Sequence, residues 1–156
     1  MSEFTDQSTF DSEQKTSNLM IEKQVCFSLY SATNAIIRAY RPLLKGLDLT
    51  YPQYLVMMVL WQSDGLNVKA LGCKLHLDSG TLTPLLKRLE NKALLTRSRG
   101  KQDERVRDIF LTESGKALKA NAESIPSALF CKADLPIDEL RNLKASCEKL
   151  VTNFDK

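Results

Sequence analysis

The hydrophobic pattern of residues 77–112 changes part-way along, and this change restricts the possible folds more than any other feature of the chain. Four leucines stand at positions i, i+3, i+4 and i+7, the spacing of a single apolar stripe on a helix. They are Leu82, Leu85, Leu86 and Leu89. After Ala93 the pattern becomes two short runs, residues 94–99 and 106–111, and the composition of residues 100–105 between them suits a hairpin tip. The stretch therefore predicts a helix with one buried face, followed by a β-hairpin.

Positive charge is concentrated in the same part of the chain. Residues 69–107 contain ten basic and four acidic side chains, a net charge of +6, whereas the whole chain carries +3. A concentrated positive surface of this kind favours the phosphate backbone of a nucleic acid. Because helix, hairpin and charge coincide, we predict a winged helix-turn-helix that binds duplex DNA, rather than an ordinary helical domain with a solvated charged face.

The remaining sequence predicts a mainly α fold with a small β-hairpin wing. With 156 residues, 43% of them hydrophobic, the chain has the size and composition of one globular domain. We expect residues 1–18, rich in serine, threonine and acidic residues, to form a flexible arm, and residues 19–156 to form a single domain. Within it, residues 50–111 form the winged helix-turn-helix. Residues 19–46 and 112–154 have more apolar surface than a small winged domain needs, which predicts N- and C-terminal dimerisation helices.

Local signals predict where the central helices begin and end. Thr50-Tyr51-Pro52-Gln53 has the pattern of a capping box, so a helix should start at Thr50 and continue through the apolar residues 54–61. Gly46 is expected to end the helix before it, and Asn67 to cap a short helix after it. Pro84 removes a helical hydrogen bond outside the first turn, so the recognition helix is expected to begin nearer Thr81 than Ser79.

Three further residues divide the C-terminal region into predicted segments. Thr112 is expected to cap a helix that Pro126 bends or stops, and Pro136 to open the final helix. Cys131 would then lie in a connecting segment between the bend at Pro126 and the turn before Pro136, where the chain can move without unfolding a helix interior.

No membrane segment or metal site is indicated. The longest apolar run is eight residues, far short of the ~20 needed to span a bilayer, and the first ten residues lack the basic start and apolar centre of a leader peptide. We therefore expect a cytoplasmic protein. The four cysteines show no C-x-x-C pairing and His76 is the single histidine, so we expect no metal and no cofactor.

Polar side chains on the recognition helix and the hairpin are the candidates for DNA contact. Hydroxyl groups near the helix start can bond to phosphates or base edges, although they can equally be simple caps. Arg105 at the hairpin tip can enter a narrow minor groove, and Asp103 can hold it in position, although the two can equally form a surface ion pair. The candidate set is Asp78, Ser79, Thr81, Thr83, Arg88, Asp103, Arg105 and Arg107.

A thiol and two phenols share one face of the first predicted helix. At 100° per residue, Tyr30 and Tyr40 each lie within ~40° of Cys26 around the helix axis. A phenol that donates to a thiolate favours the charged form and so increases its reactivity toward peroxide. A free cysteine on an apolar stripe is also commonly a small core residue, and we keep that interpretation for Cys73 and Cys147.

The motifs together resemble those of the MarR family of dimeric winged-helix regulators, and within it the organic-hydroperoxide-sensing repressors. The resemblance extends from about residue 19 to 154. The family pattern is Asp103-x-Arg105 followed by Leu111-Thr112. The subfamily patterns are C-F-x-L-Y at residues 26–30, Y-x-P-L-L at 40–44, T-Y-P-Q-Y at 50–54 and L-D-S-G-T-L-T-P at 77–84. The serine- and threonine-rich arm and the additional thiols Cys73 and Cys147 depart from the pattern.

The resemblance implies specific roles. Cys26 would be the peroxide-reactive thiol, with Tyr40 and Tyr51 as its hydrogen-bonding partners and Tyr30 nearby, partly across a dimer interface. Arg105 would enter the minor groove. The oxidised Cys26 would form a disulfide with Cys131 of the other subunit, and Cys147 is the competing partner because the chain carries extra thiols.

The resulting prediction is a transcriptional repressor, a homodimer that binds an inverted-repeat operator in duplex DNA and leaves it when an organic hydroperoxide oxidises Cys26. Two alternatives stay open. A thiol peroxidase would turn over hydroperoxide with Cys26 and Cys131, and a regulator of the same fold would respond to a reversible small-molecule effector. We favour the repressor over the enzyme because only DNA binding explains the segment of charge +6.

Overall fold

The computed structural model describes residues 19–99 and 107–154, which form a mainly helical chain with a small sheet, as predicted. The helices are α1 (Val25–Leu44), α2 (Tyr51–Gln62), α3 (Val68–Leu75), α4 (Ser79–Asn91), α5 (Glu113–Ala122), α6 (Ile125–Ala133) and α7 (Ile137–Phe154). The strands are β1 (Leu66–Asn67), β2 (Leu95–Arg99) and β3 (Arg107–Leu111), in the order β1-β3-β2. The chain divides into two compact units, one ending at Pro42 and one beginning at Leu43. The single-domain organisation stays a prediction.

Helix α1 ends differently from the sequence prediction. A one-turn 3-10 helix, Lys45–Leu47, continues directly from Leu44, so Gly46 lies inside helical structure and does not terminate it. The chain leaves the helix at Asp48, which adopts a left-handed conformation with φ of 51°. Lys92, at the end of α4, holds Asp48 in place, with 2.8 Å between its Nζ and the Asp48 carboxylate. Aspartate tolerates the left-handed region better than most residues, which explains how it replaces glycine here.

Helix α2 forms the centre of the core. It begins after Thr50 as predicted, and the Gln53 side chain accepts a hydrogen bond from the Thr50 N–H at 3.0 Å, as a capping box requires. The apolar residues between its buried side chains, Leu55, Met58 and Val59, are half-buried, which explains why the apolar run lacks periodicity. The buried side chains are Gln53, Tyr54, Val56, Met57 and Leu60. Trp61 donates from Nε1 to the Gly115 carbonyl at 2.8 Å and so joins α2 to α5.

Helices α3 and α4 form the predicted helix-turn-helix. Asn67 accepts a hydrogen bond from the Ala70 N–H at 2.8 Å and caps α3, as predicted. In the turn, His76 is left-handed and the Leu77 N–H donates to the Gly72 carbonyl at 3.0 Å. A Cβ at Gly72 would lie only 2.7 Å from the Leu77 carbonyl oxygen. The turn therefore requires a glycine at this point of α3.

The start of the recognition helix α4 corrects the sequence prediction. The helix begins at Ser79 and not near Thr81, because Asp78 accepts a hydrogen bond from the Thr81 N–H at 2.8 Å and stabilises the first turn. Pro84 lies within the helix. The Thr83 hydroxyl donates to the Ser79 carbonyl at 2.7 Å, the back-bond to residue i−4 that threonine makes inside helices.

The wing strands form where the hairpin was predicted. Strands β2 and β3 pair antiparallel, with Leu95 opposite Leu111 and Arg99 opposite Arg107. The predicted hairpin tip lies outside the described residues. Strand β1 was not predicted, because two residues are too few to show an alternating pattern. Strand β1 pairs with the edge of β3 that β2 does not occupy. Asp64, just before β1, also holds the chain against β3, because its carboxylate accepts a hydrogen bond from the Leu111 N–H at 2.8 Å.

The C-terminal region contains one more helix than predicted. Thr112 accepts from the Gly115 N–H at 3.0 Å and caps α5, and α7 follows Pro136; both starts confirm the predictions. Helix α5 ends at Ala122, and Pro126 lies in the first turn of the separate helix α6. Proline suits that position because no N–H is needed there. Cys131 consequently lies on α6, so its placement in a connecting segment was wrong.

Candidate nucleic-acid interface and thiol site

The exposed start of α4 contains the predicted hydroxyl groups. Ser79, Thr81 and Thr83 are all exposed. The Thr81 hydroxyl donates to the Asp78 carboxylate at 3.0 Å, and the Thr83 hydroxyl donates to the helix backbone. These two hydroxyls must therefore exchange a local acceptor for a phosphate oxygen if they contact DNA, because a hydroxyl has one proton to donate.

Asp78 acts in this structure as the cap of the recognition helix. Hydrogen bonds from the backbone N–H and the hydroxyl of Thr81 hold the pKa of Asp78 below its usual range. The carboxylate is therefore charged at neutral pH. Its negative charge is favourable at a helix N-terminus but not beside a phosphate, so its contribution to a DNA interface lies in fixing the helix start.

Two arginines of the predicted set are described and exposed. Arg88 lies near the C-terminal end of α4, and Arg107 begins strand β3. A cleft of about 980 Å³ extends from α3 across the start of α4 to Arg107. Lys69 and Ser79 also line it. The sequence analysis did not single out Lys69 as a DNA-contact residue. Its position two residues after the Asn67 cap, at the exposed start of α3, could have indicated that role. Asp103 and Arg105 lie outside the described residues.

A second group joins the recognition helix to the wing and was not predicted. Arg97 on β2 donates from Nε to the Glu90 carboxylate on α4 at 2.8 Å, and its Nη2 contacts the same oxygen. The Arg97 hydrogen bond holds the pKa of Glu90 below its usual range. Glu90, Arg97 and Arg107 together line a small cleft of about 180 Å³.

The predicted thiol site begins at the first turn of α1. Cys26 and Tyr30 are both exposed, one helical turn apart, and the exposed fraction of Tyr30 is 66%. Tyr40 lies on the same continuous helix. With a rise of 1.5 Å per residue, fourteen residues separate Cys26 from Tyr40 by about 21 Å along the axis. A phenol at that distance cannot reach the thiol of its own helix.

The other members of the predicted redox group lie in the second compact unit. Tyr51 is the first residue of α2, and burial raises the pKa of Tyr51, so the phenol keeps its proton and can donate a hydrogen bond. Cys131 is exposed on α6. Cys147 is half-buried on α7, and Cys73 is exposed on α3.

The first and last helices bury few of their own side chains. Leu44 is the only buried residue of α1, and none of the residues of α7, all of them described, is buried. Their exposed apolar side chains include Val25, Phe27, Ile36, Ile137, Leu143, Val151 and Phe154. Within the described ranges, no helix is long and apolar enough to cross a bilayer, and no three histidine, cysteine or carboxylate side chains lie close enough to hold a metal ion.

Comparison with known proteins decides the family. The model of the SarA/Rot transcriptional regulators matches residues 38–122. The organic hydroperoxide resistance transcriptional regulator of Bacillus subtilis strain 168 is 42% identical over 139 residues, which cover 89% of this chain and 95% of that protein. The chain belongs to the MarR family, as a SarA/Rot-type winged-helix transcriptional regulator. The resemblance stated from the motifs is thereby confirmed.

Further proteins resemble this MarR-family regulator in sequence or in structure. The HTH-type transcriptional regulator TtmR of Methylorubrum extorquens is 49% identical over 123 residues, which cover 79% of this chain and 63% of that protein. The structure of reduced AbfR bound to DNA matches with a TM-score of 0.73 and 32% identity, over 91% of this chain and 99% of that one. AbfR with its disulfide formed gives a TM-score of 0.61 and 33% identity, over 90% and 98%. AbfR is a protein of Staphylococcus epidermidis.

Proposed function

We propose that this MarR-family regulator is a homodimeric repressor that binds operator DNA and leaves it when an organic hydroperoxide oxidises Cys26. One observation carries the proposal: 42% identity, over nearly the whole length of both chains, to a regulator named for organic hydroperoxide resistance. The exposed position of Cys26 at the start of α1 is consistent with this role. The protein acts as a regulator and not as an enzyme, and operator binding implies a cytoplasmic location.

DNA binding uses the helix-turn-helix and the wing. Helix α4 of each subunit enters a major groove, with the two helices ~34 Å apart on an inverted repeat, and the wings enter the flanking minor grooves. The solved complex of reduced AbfR with DNA supports DNA binding by this fold. The contacting residues are Ser79, Thr81, Thr83, Arg88, Arg105 and Arg107, with Asp78 fixing the helix start and Asp103 positioning Arg105.

The redox step begins at the Cys26 thiolate. The thiolate attacks one peroxide oxygen, the O–O bond breaks, and the alcohol leaves, so Cys26 becomes a sulfenic acid while the hydroperoxide is reduced. The thiol of Cys131 from the other subunit then attacks the sulfenic sulfur, and a disulfide and water form. Such a disulfide protects Cys26 from further, irreversible oxidation. Closing it requires Cα atoms ~4.4–6.8 Å apart, which restricts the positions of the helices that carry them.

Two observations support a homodimer. The apolar side chains exposed along α1 and α7 need a cover, and a second copy of the same helices provides one. The second reason combines the separation of about 21 Å between Cys26 and Tyr40 along α1 with the bond between these two residues that the resemblance implies. Tyr40 can bond to a Cys26 thiolate only in the other subunit, if the two α1 helices run antiparallel.

A gel-shift experiment tests the proposal. The probe is a duplex recovered from a random library by selection with the reduced protein. We expect the reduced protein to retard this duplex, cumene hydroperoxide to release it, and dithiothreitol to restore the complex. Cys26→Ser should bind the duplex and ignore the peroxide. A Cys26→Ser protein that still responded would contradict the proposal, and so would many turnovers of hydroperoxide per protein, since turnover is the property of a thiol peroxidase.

The tyrosine donors have their own test. Tyr40→Phe removes one hydroxyl, and we expect oxidation of Cys26 to slow about tenfold, the size of one hydrogen bond to a charged group. Affinity of the reduced protein for the selected duplex should stay unchanged, which serves as the internal control. Stopped-flow measurement of thiol loss gives the rate. Equal rates in the parent and Tyr40→Phe would exclude Tyr40 from the thiol site.

A further inference from the structure

Three charged side chains meet in the corner between the recognition helix and the wing. Glu90 lies in the last turn of α4, Arg97 in the middle of β2 and Arg107 at the start of β3, and the three line one small cleft. Only Arg107 belongs to the DNA-contact set considered so far. A carboxylate held at the edge of a cationic, DNA-facing surface needs an explanation, because it repels the phosphates that the surface attracts.

The strand register explains how the arginines reach this corner. In an antiparallel pair, opposite residues share a face, and so do residues two apart along a strand. Leu95 lies opposite Leu111, and Arg97 lies opposite Ile109, two residues before Leu111. All three apolar members of this face are buried. This face of the hairpin therefore changes along its length. At the base of the wing it is apolar and packs on the core, and toward the tip it carries Arg97 on β2 and Arg107 on β3.

Glu90 lines one cleft with two like charges from that face. Arg97 and Arg107 are diagonal cross-strand neighbours, so their backbones lie ~7–8 Å apart and their charges repel. The Glu90 carboxylate accepts two contacts from Arg97, and the side chains of both residues are about one-third exposed. The group keeps a net charge of +1. Arg97 is thus held against α4, while Arg107 keeps its charge for a partner outside the protein.

We propose that Glu90 is a positioning residue that determines specificity, because it fixes the wing to the recognition helix through Arg97 and leaves Arg107 for one backbone phosphate. The inference rests on the proposed function, in which α4 occupies a major groove and the wing the adjacent minor groove. One sugar-phosphate strand separates those two grooves, and the proposal places one of its phosphates against Arg107 at the start of β3. Without the Glu90 charge, Arg97 is free to bind any phosphate, which strengthens sequence-independent binding.

Salt-dependent binding of the reduced, full-length protein to two duplexes tests the inference. One duplex is the selected sequence, and the other is a shuffled sequence of equal length and composition. For Glu90→Gln we expect binding to the shuffled duplex to rise about two- to sixteenfold per subunit, the range for one charge ~10 Å from a phosphate between the dielectric of water and that of a protein surface. The salt slope should steepen by about 1 per subunit, since one more phosphate contact forms. The ratio of selected to shuffled affinity should fall at least about twofold, because the selected complex also loses the fixed position of the wing, which the shuffled complex does not use.

Two variants separate charge from structure. Glu90→Asp keeps the charge and should keep the slope of the parent. Glu113→Gln makes the same change in net charge in an exposed ion pair with Lys116 on α5, and should bind both duplexes like the parent. If Glu90→Gln leaves slope and ratio unchanged, or if Glu90→Asp changes them as much as Glu90→Gln does, the inference is wrong. A parent protein that selects no duplex would overturn the proposed function together with this inference.

Discussion

The winged helix-turn-helix buries its large apolar side chains, whereas the terminal helices leave side chains of the same kinds exposed. In the former, Leu71, Leu82 and Ile109 have exposed fractions of 0%. On α7, the exposed fractions of Leu143 and Phe154 are 49% and 83%. Both regions have regular helices, so the difference does not lie in their secondary structure. The winged helix-turn-helix completes its core within one chain, whereas the terminal helices keep exposed apolar surface that the proposed homodimer would bury.

The apolar surface exposed on the terminal helices is large enough to favour association of two chains. Covering an exposed leucine, valine or phenylalanine contributes about 1.5–3 kcal/mol when burial is complete. Helices α1 and α7 expose at least seven large apolar side chains between them. Burial of these side chains in both subunits would work against the entropy cost of association and so favours the proposed dimer.

The largest expected effect comes from placing a charge on the apolar stripe of α7. Leu143→Arg leaves the single chain folded, because the side chain is half exposed there. In a dimer it buries an unpaired charge, which costs several kcal/mol. We expect self-association to weaken at least about a hundredfold, measured by analytical ultracentrifugation, and affinity for the selected duplex to fall with it.

Asn142→Arg is the matched control for this prediction. Asn142 is exposed on the neighbouring side of the same helix, away from the stripe, so self-association should stay like that of the parent. If Leu143→Arg also remained dimeric, the second copy would not cover α7, and the comparison between the two regions would lose its explanation.

The next largest effect concerns the turn of the helix-turn-helix. Gly72→Ala places a methyl group 2.7 Å from the Leu77 carbonyl oxygen, and the backbone must shift. We expect the free energy of unfolding to fall by about 1–3 kcal/mol, as for other overpacked sites. Gly46→Ala is the control, since nothing lies within 4 Å of a Cβ there. Denaturant unfolding of the reduced protein gives both values, and similar losses at the two positions would refute the close approach.

A smaller change is expected at the end of the recognition helix. Ala93 has a φ of 54°, in the left-handed region that disfavours residues with a Cβ. Ala93→Gly should therefore raise the free energy of unfolding by about 0.5–1 kcal/mol, the gain remaining after the extra entropy of glycine in the unfolded chain. In Ala117→Gly, within α5, the same change should lower it by about 1 kcal/mol. Thermal unfolding measures both, and effects of the same sign would contradict the expectation.

The smallest effect depends on pH and concerns Asp78. Its pKa is lowered in the folded state, so its ionisation adds stability above the unfolded-state pKa of about 4, and this addition is lost as the pH falls through the lowered value. Asp78→Asn keeps a capping acceptor but cannot ionise. The stability advantage of the parent over Asp78→Asn should hence shrink in acid. Unfolding measured across a pH series checks this, and a constant difference would show that the charge has no part in the cap.

Local signals predicted most of the fold, and non-local contacts account for what was missed. The caps at Thr50, Asn67 and Thr112 were identified because each needs only a side chain and the next turn of backbone. The start of α4 was misplaced because the penalty assigned to Pro84 was not weighed against the Asp78 cap. Strand β1 was not predicted because its two residues form a strand only through pairing with β3.

In the candidate site too, features with a local signal were predicted and features that depend on non-local contacts were missed. The motifs predicted the DNA-contact and redox residues, whose roles stay predictions. Glu90 and Arg97 were missed because their contact crosses from a helix to a strand, where no periodicity connects them. Cys26 and Tyr40 lie on one continuous helix, and their shared face stays a prediction. Their separation along the axis appears only once the rise of a continuous helix is considered.

A non-reducing gel of peroxide-treated protein is the most direct test of the central claim. The claim is that two chains meet along their terminal helices and form a disulfide between subunits. We expect hydroperoxide to convert the parent to a covalent dimer that dithiothreitol reverses. The covalent dimer should be absent in Cys26→Ser and in Cys131→Ser, and present in Cys147→Ser. A covalent dimer that persisted in Cys131→Ser, or a parent that released the selected duplex while staying monomeric on the gel, would contradict the pairing of Cys26 with Cys131 between subunits.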